Sequence, residues 1–199
     1  MDITLDLART LIAAQFPQYA DLEVTLVEPG GNEALNLWQF DSFDDELGQQ
    51  MGAMMGRIDT AILGRVGYQE WSECWPNAAN DDPFGGFINP IQKFVASRTL
   101  TGELHWQNST LIQGDLINFL VDLKNTEGGE ISVFSSISLV RQLLFGGVLD
   151  ELTVMIHPVI AGAGQHLFEP TDPTTRLELV DSTITSKGNA VLIYRLRSA

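Results

Sequence analysis

Three stretches late in the chain most constrain its fold: an apolar run from Ile131 to Phe134, a helical pattern from Ser135 to Phe145, and the alternating residues Leu152, Val154 and Ile156. Strand, helix and strand within about 27 residues form a crossover unit, and such units build parallel sheets. Gly146-Gly147 supplies the left-handed stop that a helix C-terminus favours. The last quarter changes character. Arg176 to Ser186 and Ala190 to Arg197 alternate around Ser186-Lys187-Gly188-Asn189, a hairpin turn signal. The expected fold is therefore α/β, with a mixed, mostly parallel sheet that ends in antiparallel strands.

Earlier segments extend this pattern. Ile3 to Phe16 places Leu7, Leu11 and Ala14 at helical spacing and stops at Pro17; Leu22 to Val27 alternates as a short strand that enters the turn Pro29-Gly30-Gly31. Ser42 is placed to cap a helix that repeats Phe43, Leu47, Met51, Met54, Met55 and Ile58 on one face. Its first turn holds Asp44, Asp45 and Glu46, where carboxylates are stabilised by the helix dipole. Thr60–Leu63, Phe94–Ser97 and Ser109–Ile112 read as strands, and Val66–Ser72 as a helical turn or two. Asp115 caps a helix that points Leu116, Phe119, Leu120 and Leu123 inward. Between Trp75 and Pro90, the density of Pro, Asn, Asp and Gly predicts a long loop, the best candidate for a lid.

Composition excludes several functions. With 199 residues, 44% hydrophobic and 19% charged, the chain has the makings of one folded domain. Its 26 acidic against 11 basic residues give a formal charge of −15, which repels nucleic acid at long range. No apolar run reaches the roughly 18 to 20 residues of a membrane span, and Asp2 and Asp6 stand where a secretory signal carries basic residues, so a cytoplasmic protein is expected. The lone Cys74 has no partner for a disulfide and reads as a small buried hydrophobe; His105, His157 and His166 show no metal-ligand spacing, so no metal is expected.

Parallel sheets bind ligands where their strands end. There the chain carries Gly64-Arg65, Ser97-Arg98-Thr99, Ser135-Ser136 and Gly162-Ala163-Gly164. Two guanidiniums, several hydroxyls and the N–H groups that open the following helices would form an anion pocket suited to phosphate. Alternatively, Arg65 and Arg98 pair with surface carboxylates. Trp38, Trp71, Trp75 and Trp106 are available to stack on a planar substrate or to pack in the core. Asp150-Glu151 reads as an acid–base pair or as a structural one.

The runs Asp59-Thr60-Ala61-Ile62-Leu63-Gly64-Arg65, then Tyr68 and Trp75-Pro76, and Lys93-Phe94-Val95-Ala96-Ser97-Arg98-Thr99-Leu100 resemble the C-terminal reductase domain of bifunctional riboflavin-biosynthesis proteins, in the superfamily that includes dihydrofolate reductase. Leu149-Asp150-Glu151-Leu152, His157-Pro158-Val159-Ile160-Ala161-Gly162-Ala163-Gly164 and Leu167-Phe168 follow in the same order, so that the resemblance spans about Trp38 to Arg197. It implies a dihydrofolate-reductase-like three-layer fold, a homodimer, and NADPH-dependent reduction of a heterocyclic small molecule such as a ribitylamino-pyrimidine. A nucleotide- or pterin-binding dimer without turnover is the alternative. Carried over by position, Gly64, Arg65, Ser97, Arg98, Thr99, Ser135, Ser136, Gly162 and Gly164 would bind the cofactor. Asp44 or Asp45 would stand roughly where such enzymes hold their substrate-orienting carboxylate, although a helix-cap role is the favoured reading. The chain departs from such relatives at Gly67, where Thr is common, at Ser135, where Gly is common, and at its beginning. Residues 1–36 instead resemble the N-terminal segment of aminoglycoside-phosphotransferase-like kinases, with no His-x-Asp-x-x-x-x-Asn run downstream that would imply phosphotransfer. Leu22 to Val27 is the candidate for the missing first strand.

Overall fold

In a computed structural model, residues 41–78, 82–160, 162 and 164–196 are described. The expected helix at Ile3–Phe16, the strand at Leu22–Val27 and Trp38 lie outside them. One compact unit is formed by Phe43–His157 and His166–Ala199.

Its elements are α1 (Asp45–Met55), β1 (Ile58–Gly64), α2 (Arg65–Cys74), a 3-10 turn (Trp75–Asn77), α3 (Pro83–Ile88), β2 (Gln92–Ala96), β3 (Ser109–Leu111), α4 (Leu116–Lys124), β4 (Glu130–Phe134), α5 (Ile137–Phe145), β5 (Glu151–Ile156), β6 (Leu177–Ile184) and β7 (Ala190–Leu196). Four strands form a parallel sheet in the order β3-β2-β1-β4, and three form an antiparallel sheet in the order β5-β7-β6. Among the described residues β5 pairs with β7 and β4 with β1, so α5 joins strands of two described hydrogen-bonded sheets, and the strand expected at Leu22 to Val27 lies outside the described residues.

The pleat of β1 and β2 explains the layers. Ala61, Leu63 and Val95 point to one face, where they pack with Tyr68, Ile88 and Trp106; Ile62 points to the other, with Leu120, Leu139 and Leu143 from α4 and α5. Because β1 is covered on both faces, its run Ala61-Ile62-Leu63 is continuously apolar and has no accessible surface. Helices α2 and α3 thus cover one face, and α4 and α5 cover the other.

Several sequence expectations change. The first described helix is capped by Asp44 rather than Ser42, because the Leu47 N–H donates to the Asp44 carboxylate at 2.8 Å. Ile58 opens β1 instead of closing that helix, since Gly56 ends the helical turn. The predicted long loop contains α3, started by Asp82, which accepts the Gly85 N–H at 2.7 Å, and by Pro83 in the first turn. Read as loop punctuation, Asp-Pro is here a helix start. Nor is the segment a lid: Phe84 and Phe87 contact Phe134, Phe84 meets Trp71 and Trp75, and Ile88 is fully buried. Cys74, expected inside, is exposed at the end of α2. The late helix begins two residues after Ser135, with Ser136 as its cap. The terminal hairpin forms as expected, with Gly188 at φ 85° in its turn.

Candidate functional site at the carboxyl edge of the parallel sheet

Strand register brings three chain segments into one row. Gly64 pairs with Ala96, and Leu63 pairs with Phe134. The segments that leave β2, β1 and β4 therefore stand side by side, about 4.8 Å apart. Helix α2 leaves β1 toward the face with Tyr68, whereas α5 leaves β4 toward the face with Leu139 and Leu143. Adjacent strands whose helices diverge to opposite faces leave a crevice between them, the place where open α/β sheets take ligands.

The residues that leave β1 and β4 at this place include Gly64, Arg65, Gly67, Ser135 and Ser136. Gly64 lacks a side chain for a steric reason, since a Cβ there would lie 2.7 Å from Ser136 Oγ. Ser136 Oγ accepts the Leu139 N–H at 3.4 Å and so serves α5 as its cap. Helix α2 differs. Asp44, Asp82, Asp115 and Ser136 cap the other described α-helices, but no side chain caps α2 and its first turn holds no acid. Its first N–H groups are left for solvent or an anion.

The arginines resolve the alternative posed by the sequence. Among the described residues, Arg57, Lys124, Arg141 and Arg195 pair with carboxylates. Arg65, Arg98 and Arg176 do not, and of these Arg65 and Arg98 follow strands of the parallel sheet. The exposed Arg65 guanidinium donates from Nη1 to the neutral Gln69 side chain at 2.7 Å. Arg98 is exposed and makes no ion pair or hydrogen bond with another described residue. Ser97 shapes the turn beneath it, because its Oγ accepts the N–H groups of Thr99 at 3.1 Å and Leu100 at 2.9 Å. The hydroxyl proton of Ser97 remains free to be donated.

Ser135 is the unusual residue of the row. Its φ is 49°, one of two positive values among the described non-glycine residues, and a left-handed conformation costs an L-residue about 1–2 kcal/mol. Its side chain turns toward α2: a Cβ on Gly67 would lie 2.7 Å from Ser135 Cβ and 2.8 Å from its Oγ. Sequence reasoning treated Gly67 and Ser135 as two separate departures. The structure makes them one contact, and two opposite changes of side-chain size at neighbouring strand ends are the signal that was there to be read.

Other candidates stand elsewhere. Gly162 and Gly164, with φ of 72° and 140°, belong to Pro158–Gln165, outside the unit that holds the crevice. Asp44 is engaged at the start of α1, where it accepts the N–H groups of Leu47 at 2.8 Å and Lys187 at 3.0 Å. A hydrogen bond from the Thr185 hydroxyl is the main reason its pKa lies below the usual carboxylate value. Asp45 is exposed in the same turn. Trp106 belongs to the core, with its indole N–H donating to Asn89 Oδ1 at 2.8 Å, while Trp71 and Trp75 join the aromatic cluster of Phe84. Asp150 pairs with Lys124 at 2.6 Å, which makes it structural. His157 Nδ1 lies 2.8 Å from Asn189 Oδ1, and His105 stacks edge-on to Tyr68.

One buried residue escaped the sequence reading. Lys93 on β2 is fully buried, and its Nζ donates to the carbonyls of Ile88, Asn89 and Ile91 at 2.9, 3.0 and 2.8 Å while lying 4.7 Å from the Trp106 ring centre. Burial lowers its pKa to about 8. The ammonium thus ties the C-terminal end of α3 to the sheet.

Comparison with known proteins agrees with this architecture. YyaP of Bacillus subtilis, itself uncharacterized, is 28% identical over 145 residues, which cover 70% of this chain and 75% of that protein. The crystal structure of a protein ascribed to riboflavin biosynthesis from Shewanella sp. PV-4 superposes with a TM-score of 0.60 at 19% identity, over 85% of this chain and 84% of that one. A pyrimidine reductase-like protein from Corynebacterium diphtheriae superposes with a TM-score of 0.55 at 16% identity, over 80% and 84%. At such identities the structural likeness establishes the fold, which is dihydrofolate-reductase-like as the sequence runs led us to expect. Residues 38–191 match the profile of the RibD C-terminal domain, so the chain belongs to that family of riboflavin-pathway reductase-like proteins.

Proposed function

We propose that the protein is an NADPH-dependent reductase of a heterocyclic, pyrimidine-type small molecule, and that the cofactor's phosphates lie along the carboxyl edge of the parallel sheet. The observation that carries this reading is the pair of exposed arginines, Arg65 and Arg98, left without a carboxylate in a chain of net charge −15. A guanidinium offers phosphate two parallel N–H donors. The uncapped start of α2 and the free proton of Ser97 supply further donors on the same row. The donor set therefore fits a dinucleotide's phosphates. When bound, the cofactor supplies hydride, and the task of this chain is to hold and orient it.

A second reading, nucleotide or pterin binding without turnover, draws support from Asp44. That carboxylate is held by Leu47, Lys187 and Thr185, away from any role as a free acid. Titration of intrinsic tryptophan fluorescence with NADPH and NADH, for the wild type and Arg98→Ala, tests binding. The expected result is saturable binding with an NADPH preference, weakened about tenfold by the substitution, as for one lost charged hydrogen bond. Failure of both nucleotides to bind at about millimolar concentration, far weaker than a resident cofactor needs, overturns the proposal. Binding with no NADPH oxidation across pyrimidine and pterin substrates selects the second reading.

A further inference from the structure

We propose that a chain of hydrogen bonds running from Asp44 through Thr185 and Asn189 to His157 fixes which ring nitrogen of His157 carries the proton, and so presents its Nε2 as an acid–base atom. Asp44, Thr185 and Asn189 are then positioning residues that act through His157. The inference uses no residue of the phosphate-binding edge and does not depend on the nucleotide reading. Three parts of the fold supply the chain: the start of α1, the turn between β6 and β7, and the residue that follows β5. Its two central members are buried, Thr185 at 4% exposure and Asn189 at 1%.

Proton accounting sets the direction of every link. An ionised carboxylate only accepts, and Asp44 already accepts the N–H groups of Leu47 and Lys187. The Thr185 hydroxyl therefore donates to it. Thr185 Oγ1 keeps its lone pairs, and these take the backbone N–H of Asn189 at 3.2 Å and its Nδ2 at 3.0 Å. With the amide nitrogen turned to Thr185, Asn189 Oδ1 is the atom that meets His157 Nδ1, at 2.8 Å. An amide oxygen has no proton to give, so Nδ1 carries it. The lone pair of the neutral ring then lies on Nε2, the reverse of the form that a free histidine side chain prefers in water. The tautomer of a histidine is set by the hydrogen bond that its other nitrogen makes, and here that bond is set in turn by a carboxylate three links away. Fastening the turn to α1 does not require this order, because the Ser186 N–H on Glu46 and the Lys187 ammonium on the Phe43 carbonyl at 3.0 Å already do so.

Long-range 15N–1H correlation NMR of protein labelled in histidine reads the tautomer without any ligand. Spectra are recorded above the pH at which the ring signals stop moving, so that the ring is neutral, and a His157→Gln variant assigns the signal among those of the three histidines. The wild type should show a protonated Nδ1 and an unprotonated Nε2. Asp44→Ala removes the acceptor at the head of the chain and frees the Thr185 proton to turn toward Asn189, so one dominant form should give way to a mixture with the Nε2–H form. Thr185→Val should have the same effect by releasing Asn189 Nδ2, and it keeps the test open if Asp44→Ala fails to fold. Glu46→Ala loosens the same turn but leaves the chain intact; it should lower the thermal midpoint without moving the tautomer. A wild type in the Nε2–H form overturns the assignment. Equal shifts in Asp44→Ala and Glu46→Ala, or an unmoved tautomer in Asp44→Ala or Thr185→Val, overturn the chain as its cause.

Discussion

Replacement of Lys93 by methionine isolates the contribution of its ammonium, because the two stems are similar in length and only the donor is lost. Three carbonyls receive hydrogen bonds from Nζ, at 2.8 to 3.0 Å. Hydrogen bonds from charged donors contribute about 1.5–3 kcal/mol each, so the three together supply about 4.5–9 kcal/mol. Against this stands desolvation: the fall in pKa from 10.5 to about 8 corresponds to about 3 kcal/mol. The net loss expected for Lys93→Met at neutral pH is about 1.5–6 kcal/mol, which for a chain of this size lowers the melting temperature by about 3–24 °C. Circular dichroism and the emission of Trp106 and its neighbours should report the same transition. A variant that melts within about 2 °C of the wild type, or above it, would refute the argument that the carbonyl cage outweighs desolvation. The pH dependence gives a second check. The folded-state pKa is depressed, so between pH 8 and 10.5 the unfolded chain binds the extra proton, and the wild type gains stability through this group as pH rises across that window. Lys93→Met lacks that gain, and the gap between the two proteins should widen.

Two further predictions concern the ends of helices. Asp44→Ala removes the cap of α1 and the acceptor that holds the Lys187 N–H of the β6–β7 turn, so the melting temperature should fall. Because the Thr185 hydrogen bond lowers the Asp44 pKa, this contribution is complete above the ordinary carboxylate value of 3.8 and is lost as pH falls through the lowered one; in an acid series the wild type and variant should converge, and a constant difference down to full protonation would contradict it. Cys74, exposed at the end of α2, should react stoichiometrically with a disulfide reagent in the native protein, and reaction only after unfolding would show that the thiol is covered.

Periodicity and turn chemistry carried much of the fold. The run Ala61-Ile62-Leu63, the inward face Leu116, Phe119, Leu120 and Leu123, and the Ser186–Asn189 hairpin turn each encode their element within a few residues. The arginine that follows β1 and the one that follows β2 were legible for the same reason, since the residues that leave a strand are read directly from its end. Misreadings arose where one local signal has two meanings. Asp82-Pro83 starts a helix as readily as it breaks one, and the aromatic contacts of Phe84 and Phe87 decided for the helix. Cys74 was assigned by the habit of its residue type, whereas its exposure follows from the side of α2 on which it falls.

Which helices and strands form, and which family the chain belongs to, follow from order and spacing along the chain, because capping, alternation and turn formation act over a handful of residues. Which of those elements share a sheet does not. Nothing within β4, α5 or β5 discloses that β5 pairs with β7, since that choice depends on all strands competing at once for hydrogen-bond partners. The same holds for the meeting of Ser135 with Gly67, where strand order and register bring segments far apart in sequence so close that a Cβ on Gly67 would stand within 3 Å of Ser135. At that distance steric exclusion acts between atoms, and only the assembled backbone determines which atoms those are.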